Sequence, residues 1–127
     1  MGVDASIRAF VSRLEAAIRT AELLPMLPLL HPASIERYGE EACRTNLTTR
    51  SPDPDFAIRV TSIDGPAPWD YVTDGRTATI ADAWTVVASV TARDPTTGQP
   101  ATSERELHVA PIAGEVRWFT DCGTPLS

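Results

Sequence analysis

The chain has 127 residues, 43% of them hydrophobic and 22% charged, the size and balance of one globular domain spanning 1–127, which excludes a disordered chain and leaves no room for a second independent core. Its 11 basic residues are all Arg and face 17 acids for a formal charge of -6. Nucleic acid is thereby excluded as an expected partner, because phosphate neutralisation needs a basic face and no charge run here is basic.

No stretch approaches the roughly 18 to 20 apolar residues of a membrane span. The start shows no basic region leading into an apolar core and a small-residue cleavage site, so no signal peptide is expected there. Ile7, Phe10, Val11, Leu14, Ala17, Ile18 and Ala21 recur at three-and-four spacing, which predicts an amphipathic helix capped by Asp4 or Ser6. It should end near Leu24, since a proline, here Pro25, disfavours helical geometry in the residue before it. The connector 25–32 carries Met26, Leu27, Leu29 and Leu30 and is too apolar for a solvated loop. His31 suits a loop or cap position. Ser34 is a good helix start, and a second helix is predicted over 35–47, with Ile35, Tyr38, Ala42, Cys43 and Leu47 on one face and Gly39 as a weak point.

After Pro54 the apolar rhythm changes from 3.6 to 2. Strands are predicted at 56–61, 69–73, 76–93, 101–112 and 115–121. They are separated by turn signals at Asp64-Gly65-Pro66, Asp74-Gly75, the loop 94–100, and Ala113-Gly114. Helices followed by an antiparallel meander argue an α+β fold, with N-terminal helices packed on a strongly curved sheet of about five strands. Cys43 and Cys122 are too few and too far apart for a zinc site of ordinary spacing. They leave two alternatives, one long-range disulfide or two buried thiols. Without clustered His and carboxylate ligands, no metal or other cofactor is expected.

The element order, Trp84 on the third strand, the 94–100 hairpin and the closing run Gly114-Glu115-Val116-Arg117-Trp118-Phe119 resemble the nuclear transport factor 2-like superfamily. The resemblance covers nearly the whole chain. It implies a cone-shaped sheet around an apolar hollow, and it brings the second helix onto that sheet, where Cys43 and Cys122 meet in a disulfide. A bridge would favour export and its absence the cytoplasm. The superfamily contains enzymes, binding modules and dimerising domains, so function has to be argued from the site.

Asp82 alternates with Ala78, Ile80, Trp84, Val86, Ala88 and Val90, and a carboxylate on an apolar face is costly unless paired or protonated. Pointing inward it would be a general acid or base; a bulge that flips the register would turn it outward. Arg105 shares a face with Leu107 and Val109 as a polar anchor or a solvated edge group. His108 is expected on the polar face near Glu104 and Glu106, exposed. Tyr38, Trp84, Arg105 and Trp118 are the candidate ligand-binding residues. By the resemblance, Tyr38 with Asp82 would be the catalytic pair. The leading expectation is a ligand-binding or interaction module with a small apolar ligand, compatible with a homodimer through the outer sheet face. The alternative is a small isomerase, cyclase or dehydratase that uses Asp82.

Overall fold

The computed structural model describes residues 2–126. Helix α1 spans Val3–Thr20 and buries Ile7, Phe10, Val11 and Leu14, the stripe that its sequence spacing predicts. Its first residue follows Gly2 rather than a side-chain cap; Asp4 instead pairs with Arg8 at 2.9 Å on the exposed face. The helix stops four residues before the expected point because Ala21 adopts a left-handed conformation (φ 61°) and the Glu22 amide donates back to the Ala17 carbonyl at 2.9 Å. Paired backbone bonds of this kind satisfy the orphan carbonyls of the last turn.

The connector is a 3₁₀ segment, Leu24–Leu29, with Met26 and Leu27 buried. Helix α2 (Pro32–Tyr38) follows, and its cap is His31, whose Nδ1 accepts from the Ala33 amide at 3.0 Å. Ser34, the cap expected from sequence, is instead fully buried with its hydroxyl 3.1 Å from that of Tyr71. The predicted second helix is two helices, α2 and α3 (Glu40–Thr48), because Gly39 takes φ 90°, outside the range of a helix and open chiefly to glycine.

The sheet has four antiparallel strands in the order β1-β2-β3-β4: Ala57–Thr73, Arg76–Arg93, Pro100–Ile112 and Glu115–Trp118. Two corrections to the expected cone follow. The first two predicted strands are one continuous β1. Asp64-Gly65-Pro66 does not turn the chain; Gly65, at φ 141°, carries it past β2 so closely that a Cβ would lie 2.9 Å from the Ala83 carbonyl oxygen. The sheet is also not strongly curved; its bends come from register shifts between Val60 and Ser62, Asp64 and Ala67, and Ala67 and Trp69. The hairpin turns fall where expected, with Asp74-Gly75 and Ala113-Gly114 both at positive φ, as two-residue turns between twisted strands require.

The last strand is four residues rather than seven. Past Trp118 the chain is claimed by the helical half: the His31 amide donates to the Trp118 carbonyl at 2.7 Å, Leu30 bridges Trp118 in parallel, and the Arg117 guanidinium donates to the Pro28 carbonyl. Residues 119–122 then run to Cys122, which is disulfide-bonded to Cys43 of α3 with Cα atoms 4.7 Å apart. Because β4 is short, the outer edge of β3 from Ala101 to His108 has no strand partner among the described residues.

Candidate functional site

The inner face of the sheet is laid out in rows by the pairing register. Ile58 lies opposite Val90; Val60, Ala88 and Arg105 form the next row; Ile63, Val86 and Leu107 the next; Trp84, Val109 and Trp118 the last. Helix α1 packs against β1 and β4 over this face. Its C-terminal end is tied to the start of β1 by three bonds: Arg19 Nε donates to the Phe56 carbonyl at 2.7 Å, the Ile58 amide to Glu15 Oε2 at 2.7 Å, and the Asp53 amide to the Arg19 carbonyl at 3.1 Å.

This arrangement leaves a groove of about 260 Å³ between α1 and the sheet. Leu14, Ile18 and Leu23 line it from the helical side and Ile58, Val90 and Leu107 from the sheet, with Phe56 at one end and Trp118 at the other. Trp118 is held by Phe10, ring centres 6.3 Å apart, and by its indole N–H, which donates to the Met26 carbonyl at 3.2 Å. Arg50, just past α3, and Arg105, on the unpartnered edge of β3, line the groove as its cations, with Glu106 and Thr120 as the other polar groups at its margin.

A second hollow, about 420 Å³, shares Glu106, Leu107, Phe119 and Thr120 with the first. It is bordered by rings. His108 stacks on Trp69 with centroids 3.9 Å apart and planes 5° from parallel; Trp69 meets Tyr71 and Phe119 at 5.5 and 5.0 Å; Phe119 stacks on His31 at 4.5 Å. Tyr38 and Asp121 complete it. Burial, first, and then the neighbouring Tyr71 and Asp121 push the Tyr38 phenol up to about 12. Burial also lowers both imidazoles from 6.5. For His31, Asp82 opposes the shift and Arg117 reinforces it; for His108, Glu106 opposes it. A larger hollow of about 780 Å³ beside the 3₁₀ segment is lined by Leu24, Leu27, Ile35 and Arg44 among others. It is wide and open and brings none of the sequence candidates together.

Of the sequence candidates, the structure brings Arg105 and Trp118 together in the groove and places Tyr38 in the adjoining hollow. Trp84 is half-buried against the main core beneath Gly65 and borders neither hollow. Asp82 is exposed, and of its two expected placements the structure shows the one with a bulge: Trp69 pairs with Ile80 and Ala67 with Ala83, so one β1 residue faces two on β2. The bulge buries Ile80 and Ala83 and turns the carboxylate outward. The Tyr38–Asp82 pair is therefore not assembled. His108, expected exposed, is half-buried under Trp69. Sequence reading missed Arg50, Phe56, Tyr71 and Phe119; only the alternation of Tyr71 with Trp69 could have flagged one of them. Among the described residues no cluster of His, Cys, Asp and Glu could hold a metal ion, and no helix is long and apolar enough to cross a membrane. No family profile, curated protein or solved structure matches the chain.

Proposed function

We propose that the protein is a binding module that receives a small apolar ligand in the groove between α1 and the sheet. The observation that carries this reading is an apolar hollow beside an otherwise filled core. Phe10, Ile7, Val86 and Leu47 are at most 1% exposed nearby, yet Leu14, Ile18, Ile58, Val90, Leu107 and Trp118 leave about 260 Å³ between them. Its size lies just below the roughly 300–1,000 Å³ of drug-sized sites, which favours a compact ligand. Acid–base chemistry on this ligand has no support from Asp82, which faces solvent outside the groove.

The α+β order with helices ahead of an antiparallel sheet supports the resemblance to the nuclear transport factor 2-like superfamily. The Cys43–Cys122 bridge supports export, since structural disulfides persist in oxidising compartments.

Calorimetric titration with 1-octanol tests the groove directly. Saturable binding is expected, and Ile18→Trp, which fills the space from its helical wall, should abolish it while thermal unfolding stays cooperative. Absence of saturation in the parent protein, or undiminished binding by the Trp variant, would overturn the reading.

A further inference from the structure

We infer that the groove selects an amphipathic monoanion, an apolar chain of about the length of octanoate with a carboxylate head held between Arg50 and Arg105. This rests on the groove being a ligand site, as proposed above, and adds the chemical class of its occupant.

Position carries the argument first. Arg105 belongs to the inner, α1-facing side of the sheet: its register partner is Ala88, fully buried, and its row continues to Val60. The rows on either side of it hold Ile58 with Val90, and Val86 with Leu107. A guanidinium in that place has an apolar stem lying along the groove and a head at its mouth. Arg50 reaches the same mouth from a different element, the end of α3.

Pairing carries it second. Arg8, Arg19, Arg44, Arg93 and Arg117 each meet a carboxylate within 4 Å; of the arginines that do not among the described residues, Arg13, Arg37, Arg50, Arg59, Arg76 and Arg105, only Arg50 and Arg105 line the groove. Arg50 has a contact of 3.3 Å with Asn46 Oδ1 and Arg105 one of 3.2 Å with the Ser103 hydroxyl, both neutral acceptors. In a chain of net charge -6, two cations without anionic partners converging on one apolar hollow form a local exception to a repulsive field. Glu106, the one carboxylate at the groove, neighbours His108 on the opposite side of β3. Arginine presents a planar fork of donors to carboxylates, and two such forks fix a head group that a chain alone would leave free to rotate.

Volume sets the chain. The space of about 260 Å³ lies just below the roughly 300–1,000 Å³ of drug-sized sites, so it suits a short chain such as that of octanoate.

Calorimetric titrations of the full chain at pH 7 with octanoate, 1-octanol, octylammonium and acetate provide the test. Octanoate should bind about tenfold more tightly than octanol, the scale of one hydrogen bond to a charged group at a partly exposed site, and octylammonium more weakly than both. In the variant Arg50→Gln/Arg105→Gln the preference for octanoate over octanol should vanish while octanol still binds saturably, which shows that the groove persists; Arg105→Lys should recover part of the preference. Equal binding of octanoate and octanol to the parent protein overturns the inference and leaves the apolar site standing. Binding of neither overturns both. Acetate competing with octanoate at equal concentration would place the anion on a surface charge rather than in the groove and also overturns it.

Discussion

The molecule buries side chains in two different ways on its two sides. In the main core, around α1 and α3, the side chains are apolar and almost wholly enclosed: Ile7, Phe10, Leu23, Cys43, Leu47 and Val86 are all at most 1% exposed. Beyond the bulge, toward the Asp74-Gly75 turn, the buried apolar cluster is small, Ile80, Ala83 and Ala110, and the packing is completed by half-buried rings, Trp69, Tyr71 and Phe119, together with His108 and His31. The first kind gains its stability from area removed from water and from contact density. The second gains less from area and more from ring geometry and a few bonds, such as Arg37 Nε donating to the Thr73 hydroxyl at 2.8 Å and Tyr71 donating to the Thr120 carbonyl at 3.4 Å. One region should hold the fold, and the other should respond to its surroundings.

The Cys43–Cys122 bridge sets the largest effect, because it ties the chain segment shared by both regions back to α3. Its partners are separated by 79 residues, and closing a loop of that length stabilises by about 4–5 kcal/mol in the chain-entropy account. Cys43→Ala/Cys122→Ala should therefore lower the urea-extrapolated stability by about that amount. A loss below about 1 kcal/mol would mean that packing of the 119–122 segment alone fixes it.

Next in size is a direct comparison of the regions. Phe10→Ala, at a site 1% exposed and against Trp118, should cost about 3–5 kcal/mol. Trp69→Ala, in the ring cluster, should cost roughly half as much: its burial is partial, and ring pairs add only about 0.5–1.5 kcal/mol beyond area. Chemical denaturation of the two variants checks the ratio. Equal losses would erase the distinction between the regions.

The first region was legible from sequence and the second was not, for a physical reason. The α1 stripe and the change of rhythm after Pro54 are regular periodicities, and a regular period survives translation into structure. Gly39, Gly65 and the bulge at Ala81-Asp82 each break a period. A single residue that breaks a period flips every side chain after it. The bulge decides between the two placements that the pattern allows for Asp82, and Gly65 joins what read as two strands into β1. His108 keeps the face its alternation predicts, and is half-buried because Trp69 stacks on it, a contact no period encodes. Trp118 and Arg105 were found because they lie where the pattern is unbroken. Arg50 was missed because nothing local relates the end of a helix to a strand fifty residues away. The shortness of β4 depended on the 3₁₀ segment claiming Trp118, a contact between distant parts of the chain that no period encodes.

The smallest effect, and the one most specific to the ring-lined side, is its dependence on pH. His31 and His108 both meet the cluster with imidazoles that burial holds below their usual 6.5, with Asp82 and Arg117 acting on His31 and Glu106 on His108. Between the folded value and 6.5 the unfolded chain binds more protons than the folded one, so stability is complete above pH 6.5 and is lost as the pH falls from there through the folded values. Tyr38 behaves in the opposite sense: with its phenol pushed up to about 12, its contribution is complete below pH 10 and is lost between pH 10 and about 12. Urea midpoints followed from pH 7.5 to 5.5 should fall in the parent protein and flatten in His31→Asn/His108→Gln, where Asn keeps a cap for α2. Tyr38→Phe should leave that acid limb unchanged and shorten the alkaline one. If the acid limbs of parent and double variant ran parallel, the imidazoles would contribute nothing to it, and the two sides of the molecule would share one response to protons.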